Sequence, residues 1–185
     1  MHPLDFVIAQ EGGFVNDPND PGGATKYGIS LRFLKTVDPS LSDLDQDGDI
    51  DADDIMSLSE PQAREFYMAF FYEPLNISQY SPAVGAILLD TAVNMGKARS
   101  IKLLQRALNT IGHRLIVDGI AGPVTLDRVR HTDPGILIHT YLLTRVFEYA
   151  WLCRQNPILK RFFFGWIDRV QALARFAVDL ERQVS

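Results

Sequence analysis

The chain has 185 residues, 46% hydrophobic and 22% charged, with a formal net charge of −5; that balance suits one compact globular domain with a sizeable core and excludes a disordered polypeptide. A single cysteine, Cys153, excludes an intrachain disulfide, and no apolar run approaches the roughly 18 to 20 residues needed to span a bilayer, so no membrane insertion is expected. The start, Met1-His2-Pro3-Leu4-Asp5, lacks the basic segment and long apolar stretch of a secretory leader, so synthesis in the cytoplasm without a signal peptide is expected.

Leu4, Phe6, Val7 and Ile8 predict a short helix that ends at Gly12-Gly13, glycine being the usual residue where a helix stops in a left-handed turn. Glu11 then sits at a helix C-terminus, where the negative end of the helix and apolar neighbours both favour the protonated carboxyl. The following loop is dense in Gly, Pro, Asn and Asp, carries Asp17 and Asp20, and has room for a small β-hairpin.

Ser59-Glu60-Pro61-Gln62 predicts the start of a helix with Ala63, Phe66, Tyr67, Phe70 and Phe71 as an aromatic core stripe. Ser81-Pro82 opens a second helix, apolar enough to be buried, that Gly96 closes. A third places Ile101, Leu104, Leu108 and Ile111 on one face and stops at Gly112. Gly122-Pro123 begins a short helix and Asp133-Pro134 a long one that Asn156-Pro157 interrupts; a final helix runs through Trp166, Val170, Leu173, Ala177 and Leu180. Alternating strand patterns are scarce, so the expected fold class is mainly α.

Charge is distributed unevenly. Residues 1–96 carry four basic and sixteen acidic side chains, residues 97–185 fourteen basic and seven acidic. Much of the acidity is one run, Asp43-Leu44-Asp45-Gln46-Asp47-Gly48-Asp49-Ile50-Asp51-Ala52-Asp53-Asp54. It matches the twelve-residue calcium loop of EF-hand and dockerin type, with carboxylates at positions 1, 3 and 5, glycine at 6, an apolar residue at 8 and an acid at 12. Asp43, Asp45, Asp47 and Asp54 are the expected side-chain ligands and Asp49 a backbone ligand, with Asp51 acting through a water. Aspartate at position 12, where glutamate is usual, fits the dockerin type better. A single copy argues against scaffold docking, so a structural calcium is the expected cofactor, with none needed for chemistry.

Cleaving a glycosidic bond requires an acid to protonate the departing oxygen and, usually, a second carboxylate to activate water or stabilise the oxocarbenium-like state. Glu11 fits the acid, Asp20 the partner, and Thr25 a hydroxyl that orients water; Asp17 is a weaker candidate, since both aspartates precede proline and also suit turn capping.

At these residues a resemblance becomes specific. The run Glu11-Gly12-Gly13-Phe14-Val15-Asn16-Asp17-Pro18 through Asp20, Gly22-Gly23, Thr25 and Gly28-Ile29 resembles the N-terminal signature of glycoside hydrolase family 108, with every fixed position met. Asp90-Thr91-Ala92-Val93-Asn94-Met95-Gly96, Leu104-Gln105-Arg106, Val117-Asp118-Gly119 with Gly122-Pro123-Val124-Thr125, and Phe164-Gly165-Trp166-Ile167-Asp168-Arg169 resemble that family's C-terminal peptidoglycan-binding region. The resemblance covers nearly the whole chain; the acidic run looks like an insertion. It implies a lysozyme-like helical fold and an N-acetylmuramidase of the kind phages use as endolysins and bacteria use in export through the wall. The family's catalytic glutamate falls on Glu11. Phage lysozymes with a Glu, Asp and Thr triad offer a looser parallel to Glu11, Asp20 and Thr25, with spacing different by one residue.

The expected division is 1–96, catalytic and containing the loop 43–54, and 97–185, helical and peptidoglycan-binding-like, packed as one monomeric unit. The expected partner is peptidoglycan, whose anionic peptide stems and wall polymers suit the basic second half; the alternative is a non-catalytic peptidoglycan-binding module. Expected action is at the periplasm or wall after holin-type release. No zinc-finger, RRM or helix-turn-helix signature supports a nucleic-acid partner. His2, His113, His131 and His139 form no H-E-x-x-H, and there is no G-x-S-x-G. Asp90 and Asn94, four apart on one helix face, are expected in a structural role, and Tyr27, Tyr67 and Trp166 are aromatic residues suited to core packing or sugar stacking.

Overall fold

The structure, a computed structural model, describes residues 1–16 and 23–184. Asp17 and Asp20 lie outside the described residues. The described chain is mainly helical, as expected, with one two-stranded antiparallel hairpin. It divides into two compact units, Val7–Ala69 and Met1–Phe6 with Phe70–Ser185.

In Val7–Ala69, the end of helix α1 (Pro3–Gln10) leads to strands β1 (Thr25–Lys26) and β2 (Ile29–Ser30). Tyr27 and Gly28 form the two-residue turn between them, both with positive φ (49° and 73°), which is what a tight hairpin needs to match the strands' right-handed twist. Three short helices follow that the periodicity did not predict: α2 (Leu31–Leu34), α3 (Pro39–Ser42) and α4 (Ala52–Ser57). Each is too short to show an apolar repeat, and each is started by a cap. Ser30 accepts from Phe33 N–H, Asp38 from Ser40 N–H and Asp51 from Asp53 N–H. Helix α5 (Glu60–Tyr67) begins as expected, with a Ser59–Gln62 capping box. Leu34, Ile55, Leu58, Ala63 and Tyr67 are its buried centre, and Phe33 meets Phe66 edge-on with centroids 6.3 Å apart.

The second unit is a helical bundle. Helix α6 (Pro82–Met95) is buried without interruption from Ala83 to Ala92 and is contacted by α7 (Lys97–Ile111), α9 (Pro134–Gln155) and α10 (Phe163–Val184). A helix that is apolar all round belongs at a bundle's centre. The short α8 (Pro123–Arg130) packs on α7. Starts at Ser81-Pro82 and Asp133-Pro134 and stops at Gly96, Gly112 and Asn156 fall where expected.

One charged network crosses this core. Asp90 on α6 accepts from Arg145 Nη1 on α9 at 2.6 Å and from Arg169 Nε on α10 at 2.9 Å, and Asp90 and Arg145 are both wholly buried. Arg145 Nε donates to the Tyr149 hydroxyl, which donates to Asn94 Oδ1 at 2.6 Å. Burial is the largest single influence on the Arg145 guanidinium and would lower it, but the charge and hydrogen bond of Asp90, together with the neighbouring Tyr149 and Tyr141, hold the group above its ordinary value. Asp90 and Asn94 thus join three helices. Trp166 stacks on Tyr149 at 4.6 Å, so its ring packs against the network.

Candidate active site

Glu11 stands immediately beyond α1, its N–H still donating to the carbonyl of Val7 at 3.1 Å. The helix stop differs from the expected one. Neither Gly12 nor Gly13 has a positive φ; instead the chain is taken up by strand-like pairing, with Tyr27 N–H donating to Gly12 O at 3.0 Å and a two-way Val15–Thr25 bridge at 2.8 Å each way. These bonds bring the β1–β2 turn back against the end of α1.

The closest approach is at Gly28. A Cβ placed there would lie 2.6 Å from Glu11 Oε2, 2.8 Å from Glu11 Cδ and 2.5 Å from the Tyr67 hydroxyl. The carboxylate therefore rests against a bare α-carbon, and Gly28 is required twice, for its φ and for the space. The Tyr67 hydroxyl converges on the same point and donates to Tyr27 O at 2.7 Å, tying α5 to the turn. Tyr67 is 1% exposed, so it serves as core as well. Glu11 itself is half-buried.

Thr25 is fixed by backbone bonds to Val15 and by pairing with Ser30, and its hydroxyl donates to Gly23 O at 3.3 Å. Tyr27 keeps a half-buried ring with Lys26 Nζ 5.7 Å from its centroid, and Lys26 Nζ also donates to Met56 O at 2.7 Å. Tyr67 as a neighbour of the glutamate went unread in the sequence. The two are far apart along the chain, and the aromatic spacing around Tyr67 signals only a core stripe.

The acidic loop forms a separate cluster. Asp43, Asp45 and Asp47 each offer a carboxylate oxygen within 4.8 Å of the others, a set that can hold a metal ion. The loop is wound by its own carboxylates: Gly48 N–H donates to Asp43 Oδ2, Asp47 N–H to Asp45 Oδ1 and Asp49 N–H to Asp47 Oδ1. Asp43 Oδ1 is buried and has no hydrogen-bond partner among the described residues. The exposed Asp49 carboxyl is raised, chiefly by the charge of Asp47. Asp54 is 1% exposed and stands outside the trio. It accepts from Leu44 N–H at 2.6 Å and Asp51 N–H at 2.8 Å, fastening the two ends of the loop.

In the bundle, the Asp118-Gly119 turn is clamped by Gln105, which is 1% exposed. Gln105 Nε2 donates to Asp118 Oδ1 at 2.7 Å, and Gly119 N–H donates to Gln105 Oε1 at 2.9 Å. The bond from Gln105, with another from Ile120 N–H, lowers the Asp118 carboxyl.

Residues 4–96 match the family model described as Glycosyl hydrolase 108, and residues 99–171 match one described as Predicted Peptidoglycan domain. Among solved structures, that of Brucella abortus SagA is 27% identical, with a TM-score of 0.74, over 97% of this chain and 93% of that one. No curated protein matches the chain.

Proposed function

The chain belongs to the glycosyl hydrolase 108 family and is a peptidoglycan hydrolase of N-acetylmuramidase type with a lysozyme-like fold, and from that premise we propose that Glu11 is its general acid. It protonates the oxygen of the β-1,4 bond between N-acetylmuramic acid and N-acetylglucosamine as the C–O bond breaks and positive charge develops on the muramyl ring. Asp20 is the proposed second carboxylate and Thr25 the hydroxyl that orients water. The observation that carries the assignment of Glu11 is its seat against Gly28, where backbone conformation, a missing side chain and the Tyr67 hydroxyl all serve one carboxylate.

Glu11→Gln tests the acid role. It keeps the side chain's shape and removes the transferable proton, so release of reducing ends from purified sacculi should fall by about 100-fold or more with the melting temperature unchanged. A variant turning over near the parent's rate refutes the role. Mass spectrometry of the products identifies the bond: reducing N-acetylmuramic acid ends mean muramidase hydrolysis, anhydro ends a lyase-like reaction and N-acetylglucosamine ends a different bond. Clearing of a cell suspension by the parent alone would extend the activity to bacteriolysis.

We further propose that residues 1–96 form the catalytic region, that 97–185 bind the wall, and that the loop holds one calcium ion. Asp43, Asp45 and Asp47 are the proposed side-chain ligands, with Asp49 contributing its carbonyl and Asp54 the position-12 carboxylate. Asp43 Oδ1, buried and without a hydrogen-bond partner among the described residues, supports a cation there, because an unpaired buried carboxylate oxygen is costly and a hard cation satisfies it. The ion's part is structural.

A further inference from the structure

One face of the bundle has a composition that core packing does not account for. Helix α9 leaves large apolar side chains in solvent at helical spacing: Leu143 is 46% exposed, Phe147 72% and Trp151 52%. Beside them α7 presents Arg99, Lys102 and Arg106. Between the two rows lies an open groove of about 590 Å³ lined by Arg99, Lys102, Arg106, Phe147, Glu148 and Trp151.

The groove is ordered by Glu148, whose side chain is only 11% exposed. It receives Arg106 Nη1 at 2.8 Å and lies 3.6 Å from Arg99 Nε. One carboxylate thus sets two guanidiniums, each of which keeps further N–H groups, while their side chains stay 42% and 49% exposed. Three cations against one anion leave the groove positive. Aromatic rings next to fixed cations suit a ligand with both apolar C–H faces and carboxylates.

We propose that this groove binds the peptide stems of peptidoglycan, with stem carboxylates on Arg99, Lys102 and Arg106 and the adjoining apolar surface on Phe147 and Trp151. The proposal rests on the peptidoglycan hydrolase reading and locates a second contact with the same polymer, within the stretch that matches the peptidoglycan domain. Charge and length favour this occupant. A neutral glycan strand gives three cations nothing to neutralise. From Arg99 to Arg106 the helix advances roughly 10 Å, a span matched to the few carboxylates of one stem rather than to a polyphosphate tract.

The test uses the full chain carrying Glu11→Gln, so that sacculi are not consumed, and measures co-sedimentation with intact sacculi and with sacculi stripped of stems by an amidase. The parent should bind intact sacculi more tightly than stripped ones, and the difference should shrink as salt rises. The triple variant Arg99→Gln, Lys102→Gln, Arg106→Gln should bind intact sacculi about tenfold more weakly and stripped sacculi as the parent does. In the active background it should hydrolyse stripped glycan at the parent's rate. If the triple variant fails to fold, Lys102→Gln alone, which breaks no ion pair with Glu148, and Trp151→Ala carry the same comparison. Equal binding of parent and groove variants to intact sacculi overturns the proposal, as does parent binding that is indifferent to stem removal. Loss confined to duplex DNA or to anionic vesicles overturns it too. Failure of the hydrolase reading is separate: the chain with Glu11 intact would bind by stems yet release no reducing ends.

Discussion

Glu11 and Gly28 occupy one space: the carboxylate lies where the glycine would carry a side chain, 2.6 Å from the position of its missing Cβ. Gly28→Ala therefore cannot be accommodated by the glutamate staying in place. The alanine also has to adopt a φ of about +73°, which costs about 1 to 2 kcal/mol. Both a lower melting temperature and a loss of hydrolysis on sacculi are expected. The loss of activity should exceed what unfolding explains, because the fraction still folded has its glutamate displaced. Activity per folded molecule, measured well below the melting transition, decides it; a normal value means that the seat does not matter.

Tyr67→Phe removes one hydroxyl from the same corner. The aromatic volume in the core is kept, while Tyr27 O loses its 2.7 Å donor and the turn loses its tie to α5. The expected cost is about 1 kcal/mol, or roughly 2 to 4 °C in a chain of this size. Hydrolysis should fall about tenfold or less if the hydroxyl only fixes the turn, and further if it also polarises Glu11. A pH–rate profile separates the two, since only the second role moves its limbs.

What the sequence made legible here was chemistry with a local signature. The Ser-Pro, Asp-Pro and Asn-Pro pairs at 81–82, 133–134 and 156–157 mark helix boundaries because a cap and a fixed φ act within a few residues. The signature from Glu11 to Ile29 pointed at the glutamate but not at why Gly28 belongs to it, since that depends on a hairpin folding back on α1. Tyr67 and the Asp90–Arg145 pair were illegible for the same reason, being separated by long stretches of chain. The three short helices left no trace in periodicity, as their stability comes from caps and packing rather than from an apolar face. Gly12-Gly13 misled in detail: the helix stops there, but strand pairing to Tyr27 and Thr25, not a left-handed glycine, ends it.

Calcium should stabilise the chain through the loop. Metal that binds only the folded state adds about 2.7 kcal/mol at a hundredfold excess over its Kd, or roughly 5 to 10 °C. Asp43→Asn should remove most of that gain, because it neutralises a ligand whose Oδ1 is buried with no hydrogen-bond partner among the described residues. Asp53→Asn, on an exposed residue outside the trio, should keep it. Thermal melts with calcium and with chelator make the comparison. Identical melts, with no heat of binding at millimolar calcium, would end the assignment.

Asp118 gives a pH dependence of definite sign. Its folded carboxyl is held below the ordinary value of 3.8, first by Gln105 and then by Ile120 N–H. The stability it contributes is present above 3.8 and lost as pH falls through the lower, folded value. Asp118→Asn keeps an acceptor for Gln105 but cannot titrate, so this part of the acid limb should flatten. Urea midpoints measured from neutral pH down through the carboxylate range report it. An unchanged slope in the variant means that the turn does not depend on that charge.

The buried network makes the sharpest stability prediction. Asp90→Asn leaves the geometry nearly intact but removes the charge facing Arg145 and Arg169, so one wholly buried guanidinium and one that is 14% exposed lose their counter-ion together. Removing one member of a buried pair typically costs about 3 to 5 kcal/mol, more than either hydroxyl or cap changes elsewhere in the bundle. Arg169→Met should cost less than Arg145→Met. The first leaves Asp90 with Arg145 in place, whereas the second also takes from the Tyr149 hydroxyl the N–H it accepts from, leaving it only its bond to Asn94. Because α6, α9 and α10 meet at this carboxylate, Asp90→Asn should lower the urea midpoint of the whole bundle in one transition rather than loosen one helix. A variant that unfolds within about 1 kcal/mol of the parent would mean that the two guanidiniums do not depend on the Asp90 charge for their burial.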